Sequence, residues 1–127
     1  MTAKDIVKFW RDGADDAFKT AQKLIEAKRF HHALFFCHLA LEKILKAVCV
    51  AKTGKVAPPV HSLLLLVEKA DIKINQDKRD QLREINTFNI EARYDDYKLK
   101  FYQKATEKFA NEWFTKTKEL LVWLKKN

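Results

Sequence analysis

FHHALFFCHLALEKILKAVCVA, running from Phe30 to Ala51, decides the fold of this chain. Ala33, Leu34, Cys37, Leu41, Ile44, Leu45 and Val48 return every three or four positions, which gathers them into one broad stripe of a helix, with Glu42, Lys43 and Lys46 beside or opposite it. A helix with so wide an apolar face is the central member of a bundle.

Working outward, the spacing predicts a first helix from Thr2 or Ala3 to Ala27. Ile6, Val7, Trp10, Ala14, Ala17, Phe18, Ala21, Leu24 and Ile25 keep helical period, and Thr2 with Asp5 forms a capping pair. Only Ala27-Lys28-Arg29 separates it from the second helix, so the two form an antiparallel hairpin, and Gly54 ends the second in the left-handed conformation. Lys55 to Val60 carries both prolines of the chain, Pro58 and Pro59, and is read as an extended connection. Ser62 to Val67 contains four consecutive leucines, which suit a short buried helix and not a half-exposed strand. Asn75 is the N-cap of a fourth helix bearing Leu82, Ile85 and Phe88, with Asp77 and Asp80 near its positive end. A fifth, long helix is predicted from Phe101 to Lys125, with Tyr102, Ala105, Phe109, Trp113, Leu120 and Leu124 as its stripe. The fold class is therefore all-α, a five-helix and largely up-and-down bundle, in a single domain over residues 1–127.

Composition narrows the function. Twenty-five Lys and Arg against seventeen Asp and Glu leave a net charge of +8. Eight of the lysines fall between Lys98 and Lys126 beside only three glutamates, a local positive potential able to attract phosphates or an acidic partner. No apolar run reaches the ~18 residues that span a bilayer, and Met1 to Trp10 lacks the apolar centre of a signal peptide; a cytoplasmic protein with no membrane partner is expected. Cys37 and Cys49 lie on one helix, roughly 18 Å apart at ~1.5 Å per residue, and cannot bridge each other. They are read as reduced core residues. Gly13 and Gly54 are wrongly placed for a helix-turn-helix, and Phe9, Trp10, Phe18, Phe109 and Trp113 keep to core spacing instead of forming a stacking platform.

Four histidines occur. His31 and His38 are seven apart and His38 and Glu42 four apart, a geometry conceivable for a metal, but neither HExxH nor a cysteine pair accompanies them, and no metal or other cofactor is expected. His32 reads as an exposed neighbour, and His61 as a group that caps or hydrogen-bonds at the start of the third helix. Glu42 and Lys46 read as an i,i+4 ion pair worth a few tenths of a kcal/mol.

The least regular stretch is Asn89 to Lys98, where Arg93 is flanked by aromatic and carboxylate side chains. Such a mixture either locks a loop through ion pairs with Glu91, Asp95 or Asp96 or presents a guanidinium and phenols to a ligand.

The hairpin with HLALEKILK from His38 to Lys46, the proline-bearing linker to His61-Ser62-Leu63, and the ARYDD stretch from Ala92 to Asp96 before a last long helix together resemble the HEPN (higher eukaryotes and prokaryotes nucleotide-binding) domains over nearly the whole chain. The resemblance implies a five-helix bundle that commonly forms a homodimer. Many prokaryotic members are encoded with a minimal nucleotidyltransferase as toxin and antitoxin, and others are metal-independent ribonucleases with an Arg followed four to six residues later by a His. Here Arg93 is present, but the positions that should hold the His are Lys98, Leu99 and Lys100, and no His follows His61. No catalytic residue is assigned. The chain is read as a binding module for nucleotide or RNA phosphate, or for a nucleotidyltransferase partner, with Arg93, Tyr94, Asp95, Asp96, Tyr97, Lys98 and His61 as ligand-binding candidates. The alternatives are a HEPN ribonuclease toxin and a ligand-free scaffold.

Overall fold

The structure, a computed structural model, describes residues 1–94 and 99–127, with only the backbone of Ala92 and Arg93. Among these residues it is entirely helical: α1 (Ala3–Glu26), α2 (Phe30–Thr53), α3 (Leu63–Lys69), α4 (Gln76–Arg93), α5 (Lys100–Lys104) and α6 (Glu107–Lys125).

The local signals act where they stand in the sequence. Thr2 accepts from the Asp5 N–H while Asp5 accepts from the Thr2 N–H, closing a capping box on α1. Ser62 caps α3 and Asn75 caps α4, each accepting from the amide three residues on. Gly54 ends α2 at φ 68°, a left-handed backbone that its missing Cβ makes inexpensive.

α2 is the axis of the bundle. Fourteen of its 24 residues are buried, so it is covered on most sides, and α1, α3, α4, α5 and α6 all pack against it. α1 contributes chiefly small side chains, with Ala14, Ala17 and Ala21 its only buried residues, and small residues let two helices approach closely along their length. Gly13 permits the same closeness: a Cβ there would stand 3.1 Å from Cδ of Lys43. α6 lies along both members of the hairpin. Its end is fixed to α1 by Lys125 on Asp15 and by Arg11, which donates to the Lys125 carbonyl at 3.4 Å.

Cys37 is fully buried, and burial pushes its thiol up to about 12, with a weaker opposing contribution from a hydrogen bond to Thr117; both cysteines are free. Phe88 is the anchor between α4 and the C-terminal half. Its ring meets Phe101 of α5 at 5.9 Å and Phe109 and Trp113 of α6 at 6.0 and 6.1 Å. Truncating a core aromatic of this kind costs about 3–5 kcal/mol, so this cluster, with the packing of α5 on α2, holds α5 in place.

Three expectations are corrected. The last helix is not continuous from Phe101 to Lys125, and the described chain has six helices where five were expected. Ala105 turns the chain at φ −80°, ψ 62°, its neighbours closing an inverse γ-turn from the Thr106 N–H to the Lys104 carbonyl, and Thr106 then caps α6 by accepting from the Phe109 N–H. The break lets Phe101 and Ala105 turn into the core while Tyr102, expected in the stripe, is 56% exposed. Phe9, also expected in the core, is 61% exposed.

Candidate functional site

The predicted site residues divide between two places and the undescribed segment. Arg93 ends α4, and its side chain lies outside the described residues, as do Asp95, Asp96, Tyr97 and Lys98 altogether. Tyr94 follows α4 as its C-cap, donating its N–H to the Ile90 carbonyl at 2.9 Å, with its ring 72% exposed. His61 stands in the connection between α2 and α3.

His61 belongs to a polar cluster with Glu42 and Lys46, which the sequence places beside or opposite the apolar stripe of α2. Glu42 and Lys46 are both buried, and Lys46 Nζ contacts Glu42 Oε2 at 3.1 Å while lying 5.2 Å from the ring of Trp10 on α1. The other carboxylate oxygen, Oε1, accepts from His61 Nδ1 at 3.1 Å; a carboxylate only accepts, so Nδ1 carries the hydrogen. His38, also buried, donates from Nε2 to the His61 carbonyl at 3.0 Å. Just beyond, the Leu63 N–H donates to Asn86 of α4 at 2.9 Å. The Glu42–Lys46 pair is therefore not the solvated i,i+4 pair that the spacing suggested. It is a desolvated pair joining α1, α2 and the proline-bearing connection, and removal of one partner strands a buried charge. Among the described residues no buried side-chain nitrogen or oxygen lacks a partner, so this cluster is satisfied from within.

The second place is a cleft that the sequence reading missed. It measures about 330 Å³ and is formed where the α1–α2 turn faces the break between α5 and α6. One wall is the turn itself, with Lys28 and Arg29, followed by Phe30 and His31 at the start of α2; the other is Tyr102 and Gln103 of α5 with Ala105 and Thr106 at the break. The turn is a Schellman closure: the Lys28 N–H donates to the Ile25 carbonyl and the Arg29 N–H to that of Leu24, with Lys28 at φ 61°. Arg29 then takes the N-cap position of α2 with no side-chain cap, and the first turn of α2 carries no acidic residue. The His31 ring meets Tyr102 edge-on at 5.0 Å, and the His32 ring lies 3.9 Å from that of His31.

The chemistry of this lining is one-sided. It offers an ammonium, a guanidinium, an imidazole, a phenol, a carboxamide and a hydroxyl, and none of the described residues that line it is acidic. Of the neighbouring carboxylates, Glu26 pairs with Lys23 at 3.5 Å and Glu84 and Glu91 with Lys104 at 2.9 and 3.8 Å, while Glu107 directly follows Thr106 in the first turn of α6. Two of the lysines past residue 98 are paired with other helices: Lys104 with Glu84 and Glu91 of α4, and Lys125 with Asp15 of α1; Lys116 lies over Trp113 at 4.3 Å. Signals for the cleft were present in the sequence, in the capping residue Thr106 and in the adjacent His31 and His32, but their meeting depends on chain segments about 70 residues apart.

Comparison with known proteins agrees with this architecture. The chain is similar to TT1696 from Thermus thermophilus, known from its crystal structure, with a TM-score of 0.83 at 20% sequence identity, covering 94% of this chain and 96% of that one. At that identity the likeness shows a shared fold. No curated protein matches the sequence. The HEPN domain matches residues 7–127, which takes in α2 to α6 and all of α1 but its first four residues, and with that extent the chain belongs to the HEPN domain family.

Proposed function

We propose that this HEPN domain is a binding module whose ligand carries phosphate, a nucleotide or RNA, held in the cleft between the α1–α2 turn and the α5–α6 break. The observation that carries this reading is the pair of cations in the lining: Lys28 and Arg29 stand beside His31, Tyr102 and Gln103 in a volume of about 330 Å³. That volume is at the lower end of the ~300–1,000 Å³ of small-molecule sites and suits one phosphate with one ring. A guanidinium and an ammonium supply charge-assisted hydrogen bonds, and Tyr102 offers an exposed face on which a base can stack. Arg93, at the end of α4, is proposed as a further contact to the same ligand from its sequence context alone, its side chain lying outside the described residues. Pairing as a homodimer and partnership with a minimal nucleotidyltransferase accompany this reading through the family.

The test is binding of 5′-AMP and of a short RNA to wild type, to Lys28→Gln/Arg29→Gln and to Arg93→Ala. The double substitution is expected to weaken binding at least tenfold, since each lost charge-assisted hydrogen bond is worth about 1.5–3 kcal/mol. Affinity unchanged in the double variant sinks the cleft as the site, and affinity unchanged in Arg93→Ala removes Arg93 from it.

A second reading, RNA cleavage, is favoured by one observation. The His31 ring meets Tyr102 of α5 at 5.0 Å with the His32 ring 3.9 Å from its own, so two imidazoles accompany the helix that follows Arg93 in the chain. Appearance of a cyclic phosphate end on labelled RNA, lost on His31→Ala/His32→Ala, would replace the binding-module reading with this one.

A further inference from the structure

From the outer face of α6 we infer a docking surface for an amphipathic helix of a protein partner, one that carries a carboxylate a turn to either side of an aliphatic side chain. It goes beyond the phosphate-binding reading and does not depend on it. The cleft borders α6 at Thr106, and Lys118 stands twelve residues further, roughly 18 Å along the helix at ~1.5 Å per residue.

The first argument is shape. α6 packs on α1, α2 and α4, and its last turns leave a shallow depression of about 400 Å³, lined by Lys118, Glu119, Val122, Trp123 and Lys126. Val122 is 49% exposed and Trp123 is half-buried, with Lys78 of α4 over its ring at 5.0 Å. An apolar centre inside a charged rim is the anatomy of a protein–protein contact. Lys118, Val122 and Lys126 follow at intervals of four and so stand in one row on the helix, the two lysines roughly 12 Å apart along the axis with the valine midway.

The second argument is charge. The ionic groups on the flanking helices are engaged. On α1, Asp15 holds Lys125, Asp12 holds Lys8 at 2.6 Å, and Arg11 donates to the Lys125 carbonyl. On α4, Asp77 accepts from Gln81 at 3.2 Å and Asp80 from Gln76 and Arg83 at 2.8 and 3.1 Å, while Arg79 lines a different depression with α3. On α6 itself Lys116 lies over Trp113, and Glu112 stands outside the lining, seven residues before Glu119. What remains at the depression is Lys118, Lys126 and Lys78 against the single carboxylate of Glu119. Among the described residues the side chains of Lys118, Glu119 and Lys126 make no ion pair or hydrogen bond.

Two uncommitted ammonium groups on either side of an apolar floor are complemented by two carboxylates on either side of an apolar side chain. A helix laid alongside α6 supplies them with Glu or Asp at i and i+8 and Leu or Ile at i+4. The face does not fit an RNA strand in the same way. Phosphates would meet Glu119, and Lys78 already covers the Trp123 ring on which a base would stack.

The experiment is a titration of the full chain with an alanine-based helical peptide bearing Glu-x-x-x-Leu-x-x-x-Glu. Control ligands are versions with both Glu replaced by Gln, both by Lys, or the Leu by Ser, and a single-stranded RNA hexamer. Binding is followed through the Trp123 indole N–H, assigned with Trp123→Phe. The proteins are wild type, Lys118→Glu/Lys126→Glu, Val122→Ser, and Lys52→Glu/Lys55→Glu, which changes the net charge equally at the end of α2; urea denaturation checks that each is folded. Wild type is expected to bind the Glu peptide about tenfold tighter than the Gln version. Val122→Ser is expected to weaken the Glu peptide about fivefold. Lys118→Glu/Lys126→Glu is expected to lose the Glu peptide and to prefer the Lys version, a reversal that damage to the fold would not produce. Equal affinity for the Glu and Gln peptides, an equal loss in Lys52→Glu/Lys55→Glu, or no response of the Trp123 indole to any peptide overturns the inference. So does an indole resonance shifted by the RNA and not by the Glu peptide, which would make this face a nucleic-acid surface.

Discussion

Lys28 holds a backbone conformation that most side chains avoid, φ 61° at the left-handed position of a helix-ending turn, where Gly is the usual occupant. A non-Gly residue there costs about 1 kcal/mol, and what the chain obtains in return is a cation at the mouth of the cleft. Lys28→Gly is accordingly expected to raise the free energy of unfolding by up to about 1 kcal/mol in urea denaturation while weakening phosphate binding. Loss of stability, or undiminished phosphate binding, would show that Lys28 is not in this position for the ligand. The sequence marks Ala27-Lys28-Arg29 as a turn because the apolar period stops there, but a tripeptide without Gly or Asn gives no sign of a positive φ. The hydrogen bonds of the closed turn impose it.

Among the elements, α2 shows both the reach and the limit of periodicity. The stripe from Ala33 to Val48 is buried as its spacing requires, yet Glu42 and Lys46 on its flank are buried as well. A helical wheel shows which residues share a face; it does not show that a proline-bearing connection and Trp10 of α1 will cover the neighbouring one. The Glu42–Lys46 pair therefore behaves as a desolvated pair. Glu42→Ala is expected to cost about 3–5 kcal/mol because it leaves Lys46 buried and frees His61, while Glu42→Leu combined with Lys46→Met recovers most of the loss. A cost for Glu42→Ala below about 1 kcal/mol in chemical denaturation, the range of an exposed pair, would contradict the burial. The same limit explains the split of the last helix. Phe101 to Lys125 is apolar at helical spacing throughout, and nothing local outweighs continuity except Thr106, a weak sign until Phe88 draws Phe101 into the core and the chain must turn to bring Phe109 and Trp113 onto the same ring.

Across the whole molecule the charge of +8 creates attraction for any polyanion, and the cleft has to be told apart from that background. Salt does so. If binding of a short single strand neutralises the charges of Lys28 and Arg29 and little else, the logarithm of affinity falls against the logarithm of salt with a slope of about −1.4, from ~0.7 per neutralised phosphate. A slope several times steeper, unaffected by Lys28→Gln/Arg29→Gln, would show that the surface as a whole is the binder. No helix among the described residues is long and apolar enough to cross a membrane. By itself the sequence determined the all-helical class, the capped hairpin, the central α2 and the family, because capping, apolar period and chain-breaking prolines act over a few residues and are written where they act. Only the tertiary structure decided that α5 and α6 are separate, that Glu42 is buried, and that Lys28, Arg29 and His31 meet Tyr102 and Gln103 in one cleft, because those facts depend on which distant segments the aromatic core brings together.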